Sequence, residues 1–341
     1  MRPSLLAHAL RQHGLVTRNQ ALRSGYSENE IRALTNRGAW FTVRRGVYAD
    51  AHGWEALDRD EMDRRRIRAV FLNAEQPLYA SHGSGALLTG VPLLEVSRQQ
   101  IHMTAPKIDG GRGENGVTYH PARVAETDTV STPYGPATSV ARTVCDLARY
   151  DGYLPGIVAA DHALRSACGR AELERVTRGM KNWPGVRTVR AVVEAADRGA
   201  ANPGESLFRV VISRLGWGAP RLQVPITDGT VTAYVDAMLG CHAFEFDGRW
   251  KYARSRPFAD GRMPETVLFE EKRREDWLRA RPEVGGLSRS VWDETWAEVW
   301  RRDEGPLLRR LRQEVHATVA RIGMSAWMAS LDRPMSFREG A

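Results

Sequence analysis

The chain has 341 residues, enough for two or three domains, because single hydrophobic cores stop growing well below that length. With 42% hydrophobic and 26% charged residues it has the composition of a folded globular protein, which excludes a disordered, collagen-like or heptad chain. The formal net charge of +8 points to an anionic partner, nucleic acid first, but only four of the 49 basic residues are lysine, an arginine skew that a GC-rich genome also produces, so position has to decide.

Met1-Arg2-Pro3-Ser4 carries no signal-peptide core and no apolar run approaches the roughly 18 residues of a membrane span, so a cytoplasmic chain without a membrane partner is expected. The first fifty residues read as three short helices and a hairpin. Leu5, Leu6, Ala9 and Leu10 mark the face of a helix ending near Gly14. Thr17-Arg18-Asn19-Gln20 and Ser27-Glu28-Asn29-Glu30 are capping boxes that open the next two helices. In the third helix Ile31 and Leu34 face inward, while Asn29, Arg32 and Asn36 share the outer face. Trp40 to Ala49 is aromatic and β-branched around Arg44-Arg45-Gly46, a hairpin with a basic tip. Residues 1–54 therefore follow the order of a winged helix-turn-helix, whose third helix enters a DNA major groove with the wing arginines on phosphates.

Residues 55–198 read as a middle α/β domain. Asp58 to Asn73 is a helix whose arginine run, Arg64 to Arg66 with Arg68, is offset by Asp58, Asp60, Glu61 and Asp63, so a solvated face is expected. Leu78-Tyr79-Ala80 leads into a helix from Ser84 to Thr89, Ile101 to Thr104 and Val117 to His120 are strands, and Thr138 begins a helix bearing Ala141, Val144, Cys145 and Ala148. His82, His102 and His120 are far apart in the chain and are read as structural histidines. The three cysteines, Cys145, Cys168 and Cys241, are isolated, with no C-x-x-C pair and no histidine at metal-ligand spacing, which excludes a disulfide framework, argues against structural zinc and fits a reducing cytoplasm.

The run from Arg198 to Gly204 is a linker, and residues 199–341 form the third domain. If Gly240-Cys241 is a two-residue turn, Asp236 lies directly opposite Glu245 with Cβ atoms about 5 Å apart, and Asp247 shares that face. Like charges so placed repel, and a hard divalent cation, Mg²⁺ or Mn²⁺, neutralises them most simply. Glu205 reads both as a further carboxylate for that cluster and as the N3 residue of a helix capped by Asn202. A helix from Pro264 to Ala280 places Glu271 and Glu275 in the stripe of Leu268 and Leu278, with Lys272 at its edge. Trp292, Trp296 and Trp300, with Leu307, Leu308, Leu311, Val315 and Val319, read as core-packing helix faces.

These residues carry a family resemblance. Leu15 to Ala49, Ser81 to Ala86 and Thr138 to Thr143 resemble the winged helix and middle domain of AbiEi-family antitoxins of type IV toxin–antitoxin systems. Glu205-Ser206, Val235-Asp236, Glu245 to Gly248 and Glu271 to Glu275 are similar to the restriction-endonuclease-like PD-(D/E)XK fold in its very-short-patch-repair-like branch, a mixed sheet flanked by helices. The resemblance implies Asp236 and Glu245 as metal ligands and Glu205 as the helix carboxylate, with Asp247 an additional or outer ligand. That pattern expects a lysine where Asp247 stands, so Lys272, or Lys251 beyond the Gly248 turn, would have to polarise the attacking water. The leading expectation is a DNA-binding regulator contacting double-stranded DNA through Asn29, Arg32, Asn36, Arg44 and Arg45, with a nucleotidyltransferase-type toxin as cognate partner. The alternative is a magnesium-dependent DNA endonuclease delivered by the winged helix.

Overall fold

A computed structural model describes residues 1–98, 100–166, 168–248 and 264–332, and for 96 and 264–271 the backbone alone. They fall into two compact units, Met1–Asp197 and Arg198–Ala341.

The first unit opens with α1 (Pro3–Arg11), β1 (Leu15–Thr17), α2 (Arg18–Arg23), α3 (Glu28–Asn36), β2 (Trp40–Arg44) and β3 (Val47–Asp50). Both capping boxes form: Thr17 Oγ1 and Ser27 Oγ accept from the amides of Gln20 and Glu30, whose side chains accept in return from the Thr17 and Ser27 amides. The strands make an antiparallel sheet in the order β1-β3-β2, so three helices are followed by a two-stranded wing that β1 extends. Leu5, Ala9, Val16, Ala21, Ile31 and Trp40 are the core. Leu6 and Leu10, expected in that core, are instead 47% and 77% exposed. At 100° per residue each lies one step around the helix from Leu5 and Ala9, and the short α1 buries only the narrower stripe.

The chain continues through α4 (Ala51–Glu55), α5 (Arg59–Leu72), β4 (Tyr79–Ala80), α6 (His82–Thr89), β5 (Ile101–Ala105), β6 (Arg112–Glu114) and β7 (Val117–Pro121). Then come β8 (Thr129–Thr132), β9 (Gly135–Thr138), α7 (Val140–Tyr150), α8 (Tyr153–Ser166), α9 (Arg170–Gly179) and α10 (Val186–Ala195). A mixed sheet runs β6-β7-β5-β4-β9-β8, with β5 parallel to β7 and antiparallel to β4. Ile67 and Val70 of α5 pack on Leu78, Met103 and Val117. Ala69 of the same helix, with Trp54, joins Leu15, Val47 and Ala49 of the wing sheet, so residues on both sides of position 54 share one core. The α5 arginines pair along their own helix, Arg65 with Glu61 at 2.8 Å and Arg66 with Asp63 at 2.9 Å.

The second unit contains α11 (Pro203–Ser213), β10 (Arg221–Thr227), β11 (Thr232–Leu239), β12 (His242–Asp247), α12 (Pro264–Arg279), β13 (Gly286–Val291), α13 (Trp292–Val299), α14 (Pro306–Ile322) and α15 (Met324–Leu331). The first three strands form an antiparallel meander and β13 adds parallel to β12, so the order is a helix, three strands, a crossover helix and a fourth strand. Gly240 turns the β11–β12 hairpin at φ 57°, the left-handed region a type II′ turn needs at its first central position. Residues His242 to Phe246 of β12 are all buried. Leu307, Leu308, Leu311, Val315 and Val319 pack into the core as expected. The tryptophan stripe does not: α13 buries Thr295, Glu298 and Val299, while Trp300 is 43% exposed and the three indoles pack along the helix on one another. Glu298 explains the choice of face, since its buried carboxylate accepts from the Gly305 and Leu307 amides and ties α13 to the start of α14. No helix among the described residues is long and apolar enough to cross a membrane.

Candidate functional site: a polar helix face and a carboxylate cluster

The Ser27 capping box leaves α3 with a defined start, and Ile31 anchors its inner side. Asn29, Arg32 and Asn36 are all exposed, on the side that Ile31 leaves to solvent. Two glutamates in the first turn, Glu28 and Glu30, would repel phosphate, but each is matched by an arginine from outside the helix. Arg18 pairs with Glu28 at 2.5 Å and Arg2 with Glu30 at 2.8 Å. Acceptance of the Ser27 amide, seconded by Arg2, holds the Glu30 carboxyl below its ordinary range. The polar face of α3 is thereby relieved of its own acids: Glu28, one helical turn before Arg32, is taken by Arg18, and the positions one turn after Arg32 are the uncharged Thr35 and Asn36.

At the wing, Arg45 is exposed and its carbonyl accepts from Asn73 Nδ2 at 2.9 Å. Arg44 is half-buried and donates to the Asn115 carbonyl at 3.2 Å, so its guanidinium is anchored within the protein. The two neighbouring arginines thus have different surroundings, which the Arg-Arg-Gly tip by itself did not distinguish.

In the second unit the hairpin register is the expected one, with Leu239 opposite His242, Met238 opposite Ala243 and Ala237 opposite Phe244. The ladder stops there, one step short of Asp236 and Glu245. Asp236 Oδ2 accepts the Phe246 amide at 2.7 Å, in the place where a continuing antiparallel ladder would bring the Val235 carbonyl. Gln223 Nε2, from β10, donates to Glu205 Oε2 at 3.2 Å and reaches Asp236 Oδ1 at 3.5 Å, which joins three of the polar groups. Glu205 also holds the start of α11: its amide donates to Asn202 Oδ1 at 3.0 Å, and its carboxylate accepts from the Ala201 amide at 2.7 Å. The capping reading and the cluster reading of Glu205 therefore describe the same side chain.

Glu245 is 6% exposed and both its oxygens accept from Arg274 of α12. Burial pushes the carboxyls of Asp236 and Glu245 upward; Arg274 opposes this at both, and Asp236 adds to it at Glu245. Glu245 pairs in register with Arg289 of β13, whose guanidinium lies 3.7 Å from Glu275. Arg274 and Arg289, neither singled out as a site residue from the sequence, thus supply the positive charge at this cluster. The spacing of Arg274 to buried Leu278, one helical turn, was the available signal. Glu275 pairs with Arg279 at 2.8 Å, the ordinary helix-surface arrangement. Asp247 ends β12 half-buried, and Lys272 is exposed on α12. Lys251 and the side chain of Glu271 lie outside the described residues. A hard divalent ion needs carboxylate oxygens turned to one point. As arranged, those of Glu245 are turned to a guanidinium and one of Asp236 to a backbone amide, so the donors do not fit Mg²⁺ or Mn²⁺ without rearrangement.

The first unit assembles a cluster that the spacing concealed. His82, His102 and His120 come together, with one ring nitrogen of each within 4.8 Å of the others. Residue 102 lies opposite 118, and 120 opposite 104, so His102 and His120 are diagonal neighbours on one face of the parallel pair.

Residues 4–49 match the family model described as transcriptional regulator, AbiEi antitoxin. Among solved structures, the RV2827C protein from Mycobacterium tuberculosis is similar at 16% identity and a TM-score of 0.40, over 60% of this chain and 78% of that one. No curated protein matches the chain significantly.

Proposed function

We propose that this chain is a cytoplasmic, DNA-binding transcriptional regulator of the antitoxin type, which sets α3 in the major groove of double-stranded DNA with Asn29, Arg32 and Asn36 toward base edges and Arg45 on phosphate. The observation that carries this reading is the exposed face of α3 whose first-turn acids are matched by Arg2 and Arg18, within the 4–49 segment that matches the AbiEi model. Asparagine and arginine are the side chains whose paired donors and acceptors read adenine and guanine edges, while a wing arginine contributes charge without sequence information. A nucleotidyltransferase-type toxin is the proposed protein partner, and the second unit is a nuclease-like fold.

The endonuclease alternative is not favoured. It places Glu205, Asp236, Glu245 and Asp247 around Mg²⁺ or Mn²⁺ with Lys272 on the water. That would require Arg274 to leave Glu245 and an exposed lysine to act in place of the residue Asp247 occupies.

Fluorescence anisotropy of the full chain on duplex DNA from upstream of its own gene tests the reading, at several salt concentrations and beside an unrelated duplex. Specific binding that steepens as salt falls, and that Arg32→Ala weakens on the upstream duplex far more than on the unrelated one, is expected. No preference between the duplexes, or an Arg32→Ala variant binding like the parent, would overturn it.

A further inference from the structure

We infer that His82, His102 and His120 form a binding site for a late first-row divalent metal ion, zinc first, in the first unit and apart from the DNA-reading face.

Three elements deliver the imidazoles: His82 begins α6 directly after β4, His102 lies on β5 and His120 on β7. All three residues are buried. His102 Nδ1 and His120 Nε2 stand 2.9 Å apart and share one proton. His82 Nδ1 lies 3.0 Å from Ser81 Oγ, the outer hydrogen bond that sets tautomer and ring orientation in metal-ligating histidines. Its other nitrogen, Nε2, is buried and has no hydrogen-bond partner. Buried polar atoms in native proteins are nearly always satisfied, so an unpaired imidazole nitrogen beside two others asks for a ligand.

The backbone is bent to achieve this. His82 sits at φ 51°, in the left-handed region, and a Cβ on the next residue, Gly83, would stand 2.0 Å from the Ser97 carbonyl oxygen. Strain of this kind persists where surrounding structure enforces it, and it collects at functional sites. The positive charge of Arg142 and Arg149 nearby is offset by Asp146, which pairs with them at 3.0 and 3.1 Å.

Three imidazoles without a carboxylate suit zinc, copper or nickel and not magnesium or calcium. At metal–nitrogen bonds of about 2.0 Å the ligand atoms of a tetrahedron lie about 3.3 Å apart, so nitrogens now within 4.8 Å must close by side-chain rotation. The His82 and His120 rings, stacked at 3.9 Å, would separate in doing so. The shared proton moves to the outer nitrogen of its own ring, and neither imidazole loses its proton overall. Water completes the shell beside Tyr150, whose half-exposed ring meets all three imidazoles edge-on at 5.1 to 5.2 Å.

The test uses the full chain stripped with a chelator and titrated with Zn²⁺ and Co²⁺ in competition with a chromophoric chelator. One equivalent is expected, with visible Co²⁺ absorption of four-coordinate intensity, and X-ray absorption of the Zn²⁺-loaded wild type should count three imidazoles. His102→Gln and His120→Gln should each weaken binding at least tenfold, whereas Asp236→Asn should leave it unchanged, which separates this site from the carboxylate cluster. Substoichiometric binding by wild type, fewer than three imidazoles in its absorption spectrum, or affinity unchanged by a folded histidine variant would overturn the assignment. The wild-type measurements decide it even where a variant does not fold.

Discussion

Replacing Arg274 by methionine keeps the apolar stem of the side chain and deletes the guanidinium that both Glu245 oxygens accept from. A carboxylate side chain only 8% exposed is then left beside Asp236 with its strongest compensating charge gone. Removing one partner of a fully buried pair costs about 3–5 kcal/mol, whereas exposed pairs are worth about 0–1 kcal/mol. Because the Arg274 side chain is 40% exposed, solvent screens part of the pair and the expected loss is about 2 kcal/mol. Glu245→Gln in the same chain removes the stranded charge, so the double variant should recover most of the loss, with a coupling of about 2 kcal/mol. Urea denaturation at pH 7.5 measures it through intrinsic tryptophan fluorescence and far-UV circular dichroism. The deficit of Arg274→Met should shrink as pH falls, because the Glu245 carboxyl is already raised by burial and protonation discharges it. An Arg274→Met protein as stable as wild type, or a double variant that loses the sum of the two single losses, would refute the reasoning.

His242 is buried between Thr318 Oγ1 and Ser288 Oγ, each at 2.8 Å, and burial lowers its pKa from 6.5 to about 4. The unfolded chain takes up this proton first, so the contribution is fully present above pH 6.5 and lost as pH falls toward 4; wild type should lose about 2 kcal/mol between pH 7.5 and 5 that His242→Gln does not, as read from urea midpoints. Gly83→Ala should cost about 1–3 kcal/mol by the same measurement, because its Cβ meets a backbone oxygen that cannot swing away. Arg45→Ala should reduce the salt slope of DNA binding by about one while weakening specific and unrelated duplexes alike. Arg44→Ala should change the slope less, since its guanidinium is held by the Asn115 carbonyl; equal slopes for the two variants would contradict that difference.

What could be read from the sequence was local. Capping boxes at Thr17 and Ser27 work through contacts three residues apart, and the β11–β12 register follows from a two-residue turn, so both formed as read. Tertiary packing decided the rest. Periodicity could not choose between Leu5 and Leu6 on a helix with room to bury one narrow stripe, nor show that α13 turns Glu298 inward to cap its neighbour. Two carboxylates on facing strands leave open which cation meets them, and it is Arg274, supplied by a crossover helix some thirty residues later, that fills this role. The histidines at 82, 102 and 120 have no shared period. They become neighbours because β5 pairs parallel with β7 and antiparallel with β4, and such pairing is set by packing across the sheet, which sequence spacing does not encode.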